Sequence, residues 1–212
     1  MLLKKRLLIL IVVICLIELS IYFWSVWTSN LDWGNFFAIR SEYIFDKCAR
    51  LAGRISSFLI LLTLFYVGYN GLYKLYNNSL KREKFLLSII LFSFNHLIHL
   101  LFVILRFSSH NESINFSEPI SIGGSIHGFI TFVFIILMPL ILLKYRNLNS
   151  LLYSIIILHL LNINIFMIKT FLSKIKLPES PAYHNQFGIL ILSLASIYLL
   201  YRTYIENKKI KA

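Results

Sequence analysis

Two histidines, His96 and His99, stand in the middle of the apolar run from Phe85 to Phe107. That run is long enough to cross a bilayer as a helix, which takes about 20 predominantly apolar residues. Residues three apart share one helical face, so both imidazoles should point the same way. An imidazole in hydrocarbon normally faces a partner inside a helix bundle. It can hydrogen-bond to a neighbouring helix, or ligate a metal ion or heme iron.

A third histidine, His159, lies inside another apolar run, Leu151 to Leu172. With a rise of about 1.5 Å per residue, His96 and His159 should differ in height by roughly 5 Å or less. Two imidazoles at one level on different helices could clamp a heme iron from opposite sides. The remaining histidines should follow toward the outer face: His99 with His127, then His110 and His184 in loops.

Other polar residues in the apolar runs allow a functional and a structural interpretation. Glu18 could serve a proton path or bond to a neighbouring helix. Asn162, three residues after His159, suits a hydrogen bond to an imidazole N–H, or simple helix packing. Arg54 could pair with a heme propionate, or extend its side chain to the membrane interface.

The elements that position these side chains are predicted to be six transmembrane helices in an all-α membrane bundle. The chain has 212 residues, 58% of them hydrophobic and 14% charged, whereas a soluble domain is nearer a quarter charged. The apolar runs fill the chain, which we interpret as a single membrane domain, 1–212, with no flavin or nicotinamide domain. The predicted spans are Leu7–Trp27, Leu51–Tyr73, Phe85–Phe107, Gly123–Leu143, Leu151–Leu172 and Phe187–Tyr204.

The positions of the lysines and arginines predict the orientation. The net charge of +12 is clustered in short segments between apolar runs, which favours an orientation signal over a nucleic-acid surface. The N-terminus, the even-numbered connections and the tail carry more basic residues than the odd-numbered connections. By the positive-inside rule, both termini should be cytoplasmic, as expected for a protein of a bacterial inner membrane.

From Ala49 to Leu172 the chain resembles the ferric-reductase-like transmembrane family, in particular its heme-binding membrane subunits of the YedZ/MsrQ type. The resemblance is carried by short motifs in order: Arg50-Leu51-Ala52-Gly53-Arg54, Lys81-Arg82, Phe94-Asn95-His96-Leu97-Ile98-His99, Pro119-Ile120-Ser121-Ile122-Gly123, Met138-Pro139-Leu140 and Leu158-His159-Leu160-Leu161. It implies that His96 or His99, with His159, holds a b-type heme. The family's second histidine on helix five corresponds to Leu172, and its usual tryptophan to Ile155, so one heme is expected rather than two. His127 or His184 could replace the missing ligand.

The sequence therefore predicts a transmembrane b-type cytochrome subunit that passes electrons across the membrane. Its expected partners, besides membrane lipid, are a flavoprotein or quinol donor and an electron acceptor at the outer face. It contains no catalytic triad, P-loop or GxGxxG motif, so no autonomous enzyme is expected. One alternative is a heme-free transporter or assembly factor with an intramembrane histidine and glutamate site. Another is a descendant of a heme-binding family that has lost its cofactor.

Overall fold

The computed structural model describes residues 2–28, 42–109, 126–175 and 182–211. All secondary structure in these ranges is helical, which confirms the predicted all-α class. Seven helices lie in these ranges: α1 Leu2–Trp27, α2 Glu42–Asn70, α3 Leu72–Tyr76, α4 Ser79–Ser109, α5 Ile126–Lys144, α6 Ser150–Ile175 and α7 Ala182–Lys211.

Five of the described helices are long and apolar enough to cross a membrane, which makes this an integral membrane protein. Their apolar spans are Lys5–Trp27, Ile44–Asn70, Ser79–Arg106, Ser150–Ile175 and Tyr183–Lys208. The sixth predicted span corresponds to α5, whose described apolar stretch is the shorter Ile130–Lys144. The prediction of six spans is therefore close to what the structure shows.

The second predicted helix differs most from its observed form. It was expected over Leu51–Tyr73, but α2 begins at Glu42 and ends at Asn70. Gly71 has φ 77° and ψ 144°, a conformation that is essentially restricted to glycine, so the helix stops there. The short helix α3 follows at once and leads toward α4.

The chain forms two compact units that share α2 and α4. The first unit comprises Met1–Phe58 and Leu91–Pro119, and the second comprises Leu59–Ile90 and Ile120–Ala212. His96 and His99 therefore belong to the first unit, whereas His127 and His159 belong to the second.

The first unit has an apolar core where α1, α2 and α4 meet. Its buried members are Val26, Ile44, Cys48, Ala49, Ala52 and Phe102. Polar contacts surround this core: Asp46 pairs with Arg50 on α2 and, at 2.7 Å, with Arg106 on α4. Burial of small residues such as Ala49 and Ala52 allows close helix approach, which is how helices associate within lipid.

The second unit holds its helices together with buried polar bonds as well as apolar contacts. Asn164 on α6 is fully buried and donates its amide to the Leu192 carbonyl of α7 at 2.8 Å. The same amide donates to the Ser196 hydroxyl one turn further along α7. In lipid such interhelical bonds contribute about 0.6 to 1.7 kcal/mol each.

One end of the second unit carries a polar cluster around Glu206 that the sequence did not predict. The Glu206 carboxylate accepts hydrogen bonds from the Leu72 amide at 3.1 Å and the Tyr153 hydroxyl at 3.3 Å. Arg202, one turn earlier on α7, donates to the Asn70 carbonyl at 3.3 Å. The cluster thus joins the bend at Gly71 to α6 and α7.

The remaining surfaces of the long helices are rich in exposed apolar side chains. On α1 they include Leu8, Ile9, Leu16 and Trp27, and α7 is similar, with Phe187, Leu194 and Ile197. Only 11% of the α1 span and 17% of the α7 span are buried. These faces contact membrane lipid, as predicted from the composition.

Candidate functional site

His99 is the histidine whose orientation is best defined. Its Nδ1 lies 2.8 Å from the Ala49 carbonyl oxygen of α2. A carbonyl oxygen only accepts, so Nδ1 carries a proton and donates it to this bond. The ring also lies against Gly53, where an added Cβ would be 3.1 Å from Cε1. The absence of a side chain at Gly53 therefore makes room for the imidazole.

His96 lies one turn before His99 and is buried, whereas His99 is half-buried. Its ring centroid is 5.3 Å from that of His99 and 5.7 Å from that of Phe92. Its Nδ1 is buried and has no hydrogen-bond partner among the described residues. The two histidines do share a face of α4, but only His99 has its tautomer set by a backbone carbonyl.

Asn95 positions this face of α4, and the sequence analysis gave it no role of its own. Its amide donates to the Ala52 carbonyl at 3.0 Å and to the Ser56 hydroxyl at 2.9 Å. Both acceptors lie on α2 and both side chains are fully buried. These bonds fix α4 against α2 beside the histidines. A polar residue directly before His96 within an apolar run was the signal available in the sequence.

His159 lies within the second unit, only 3% exposed, with its ring 6.0 Å from that of Phe134 on α5. Its Nδ1 is buried and has no hydrogen-bond partner among the described residues. The expected bond from Asn162 to His159 is not formed.

Asn162 instead bonds to His127, in a closed network between α5 and α6. The Thr131 hydroxyl donates to the His127 carbonyl at 2.7 Å, so its oxygen must accept the Asn162 amide, which lies 2.9 Å away. The Asn162 carbonyl oxygen then faces His127 Nε2 at 2.9 Å, which makes Nε2 the donor. His127 Nδ1 is buried and has no hydrogen-bond partner in the described structure.

Replacing Asn162 with alanine should destabilise the second unit by about 1–3 kcal/mol. Two interhelical bonds are lost, each contributing about 0.6 to 1.7 kcal/mol in a membrane protein. Reversible unfolding in mixed micelles would measure the loss. Ile165→Ala is the matched control because Ile165 lies one turn away on α6 and is half exposed, at 49%. Equal costs for the two variants would contradict the network.

The other predicted site residues lie apart from these contacts. Arg54 is exposed on α2, within the span Ile44–Asn70 rather than at its end. His184 is exposed in the first turn of α7, not in a loop, and its ring is 4.1 Å from that of Tyr183. His110 lies outside the described residues.

Glu18 is a buried acidic side chain of the first unit. It is 3% exposed within the span Lys5–Trp27. Both carboxylate oxygens are buried, and neither has a hydrogen-bond partner among the described residues. An acidic residue within an apolar run is unusual in the sequence, and its burial without a hydrogen-bond partner is unusual in the structure.

Within the described ranges, no three side chains of the metal-binding types come together to hold a metal ion. Heme iron takes its protein ligands singly or in pairs, so the histidines are considered one at a time. An open groove of about 420 Å³ on α1 has an almost wholly apolar lining that suits a lipid chain rather than iron. It is formed by Val13, Leu16, Ile17, Ser20, Ile21 and Trp24.

Comparison with known proteins found no family model, no curated protein and no solved structure that matches this chain.

Proposed function

We propose that this protein is a heme-binding electron carrier of the membrane and that His99 is an iron ligand. The observation that carries the proposal is the hydrogen bond from His99 Nδ1 to the Ala49 carbonyl. Metal-ligating histidines almost always donate their second ring N–H to a carbonyl, a carboxylate or water. This bond orients the ring, and Nε2 would be the nitrogen that binds iron.

The surroundings of His99 suit a b-type heme chemically. Gly53 lies beneath the ring, and the apolar core that includes Ala52 and Phe102 is close by in the same unit. Burial and low polarity are among the factors by which a protein sets a heme's reduction potential. Asn95 holds α4 to α2 and so keeps the imidazole in place.

A bound heme would supply a one-electron couple between ferric and ferrous iron. The chain's own residues would hold and surround it: His99 orients its ring, and the apolar helices exclude water. Arg54 carries an exposed guanidinium suited to a charge-assisted bond with a propionate. That His159 binds heme iron stays a prediction from the sequence.

The direction of electron flow follows from the proposed orientation. Both termini would be cytoplasmic in a bacterial inner membrane, because basic residues cluster at the termini and the even-numbered connections. Electrons would enter from a cytoplasmic flavoprotein or from a quinol and leave to an acceptor at the outer face.

The heme-free transporter is less well supported, because the polar side chains of α6 that could line a cavity are bonded between helices or exposed. Asn162 bonds to His127 and Thr131, and Asn164 bonds to α7. Lys169 is exposed on α6. The asparagines therefore act as interhelical contacts. The Glu18 carboxyl has no hydrogen-bond partner among the described residues.

A visible spectrum of the detergent-purified protein, before and after dithionite, tests the proposal. We expect a Soret band, sharp α and β bands on reduction, and about one heme per chain. Another membrane protein expressed and purified from the same heme-replete cells controls for adventitious heme. A colourless protein from those cells would overturn the proposal.

A further inference from the structure

Glu18 lies on the one buried stripe of an otherwise lipid-exposed helix. Ile14, Glu18 and Ser25 are buried and lie on one side of α1, whereas most large apolar residues of this helix are exposed. Residues four apart in a helix lie on one face, which places Glu18 in line with Ile14. The carboxyl therefore points into the protein and not into lipid.

The charged groups of the surrounding helices are committed to other partners. On α2, Asp46 pairs with Arg50 and with Arg106 of α4. The Lys47 ammonium donates to Thr28 at 2.5 Å and lies 4.2 Å from the centre of the Trp24 ring. Within the described part of the chain, no basic side chain forms an ion pair with Glu18.

The other titratable groups of α1, α2 and α4 named below give Glu18 no positive partner either. Cys48 on α2 interacts electrostatically with Glu18, but a thiol carries no positive charge. Tyr22 lies one turn along α1 and packs against the apolar core. On α4, the His99 Nδ1–H is given to the Ala49 carbonyl. Arg54 is exposed.

An ionised carboxylate with no partner is strongly disfavoured at this depth, whereas a protonated carboxyl is tolerated at lower cost. A buried polar group left unsatisfied costs about 1–3 kcal/mol, so it usually has a role beyond packing. An isosteric glutamine or an apolar residue would avoid the charge altogether. Unlike a glutamine or an apolar side chain, a glutamate can take up and release a proton.

We propose that Glu18 is an intramembrane proton-binding site. The carboxylate takes up one proton to become a carboxylic acid and gives it back when a base or a cation reaches it. No bond other than O–H forms or breaks, and no electron is transferred. The inference does not depend on heme, because it is argued from the burial of Glu18 and from the partners of the neighbouring protein side chains.

Labelling with N,N′-dicyclohexylcarbodiimide in native membranes tests this site. The reagent partitions into lipid and adds to a protonated carboxyl, giving a stable N-acylurea that retains the whole reagent mass. We expect peptide mass spectrometry to find the label on Glu18, with a rate that falls as the pH rises. A water-soluble carbodiimide should leave Glu18 unlabelled.

Two variants test whether the label is specific to Glu18. Glu18→Gln should remove the label, whereas Glu83→Gln, which changes an acid at the start of α4, should leave it unchanged. Absence of label on wild-type Glu18 would overturn the proposal, and so would a labelling rate that does not vary with pH. Because the site is mapped in the wild-type protein, the test survives even if a variant folds poorly.

Infrared spectroscopy gives a second, reagent-free measurement. The difference spectrum between wild type and Glu18→Gln should contain the C=O stretching band of one protonated carboxylic acid at low pH, and this band should disappear reversibly as the pH rises. The measurement applies equally to protein with and without heme. A colourless protein with this band would reject the cytochrome proposal and support the proton site. A heme-containing protein without the band would support the cytochrome proposal and reject the proton site.

Discussion

Replacing His99 with alanine should lower the heme content of the purified protein by about tenfold or more. The estimate is conservative, because changing even an outer-shell partner of a metal ligand commonly costs about 10–100-fold in affinity. His99 also forms a hydrogen bond to α2, so its replacement removes a contact between helices. The folded fraction should therefore be checked by gel filtration. Heme is then counted per folded chain from the spectrum of the dithionite-reduced protein.

His96→Ala is the matched control, since His96 lies one turn away on the same buried face. Its Nδ1 has no carbonyl partner in the described structure, so its ring lacks the orientation seen for His99. We expect His96→Ala to retain heme at close to the wild-type ratio. Retention of heme by His99→Ala together with its loss from His96→Ala would reassign the ligand to His96.

The sequence could predict the helices because their signal is the length of apolar runs. In lipid, the backbone of a single apolar run such as Leu151–Leu172 can satisfy its hydrogen bonds only by forming a helix. The ends of the helices were predicted less well, since α2 begins at Glu42 and not at the predicted Leu51. The segment from Glu42 to Arg50 is rich in charged residues, so hydropathy excluded it. Its charges are accommodated because Asp46 pairs with both Arg50 and Arg106.

The partners of polar side chains could be predicted only where they lie on one helix. The shared face of His96 and His99 follows from their spacing. The partner of Asn162 does not, because residue 162 is three from His159 on one helix and also faces α5 across the interface. Spacing along the chain gives no information on which helix packs there, so His127 and Thr131 were not foreseen.

Contacts between distant segments also lay beyond the sequence analysis. Glu206 and Leu72 are 134 residues apart, and no local pattern connects them. Gly71 was interpreted as part of a continuous helix, since a single glycine within a helix costs only about 1 kcal/mol. Gly71 has a positive φ, and the Glu206 carboxylate lies where a Cβ at this position would be.

Replacing Gly71 with alanine should therefore destabilise the second unit by about 2–6 kcal/mol. Backbone strain at φ 77° and ψ 144° accounts for about 1–3 kcal/mol in a residue that bears a Cβ. The new Cβ would also collide with the Glu206 carboxylate, which is then forced away from the Leu72 amide and the Tyr153 hydroxyl. Leaving those buried polar groups unpaired adds about 1–3 kcal/mol.

A double-mutant cycle with Glu206→Ala separates the two contributions. In the Glu206→Ala background the collision is gone, so Gly71→Ala should cost only the strain of about 1–3 kcal/mol. Reversible unfolding in mixed micelles measures all four proteins under one condition. The same cost in both backgrounds would show that the carboxylate does not cover Gly71. No cost in either background would show that residue 71 does not need the conformation that glycine alone adopts easily, and the bend between α2 and α3 would then have another cause.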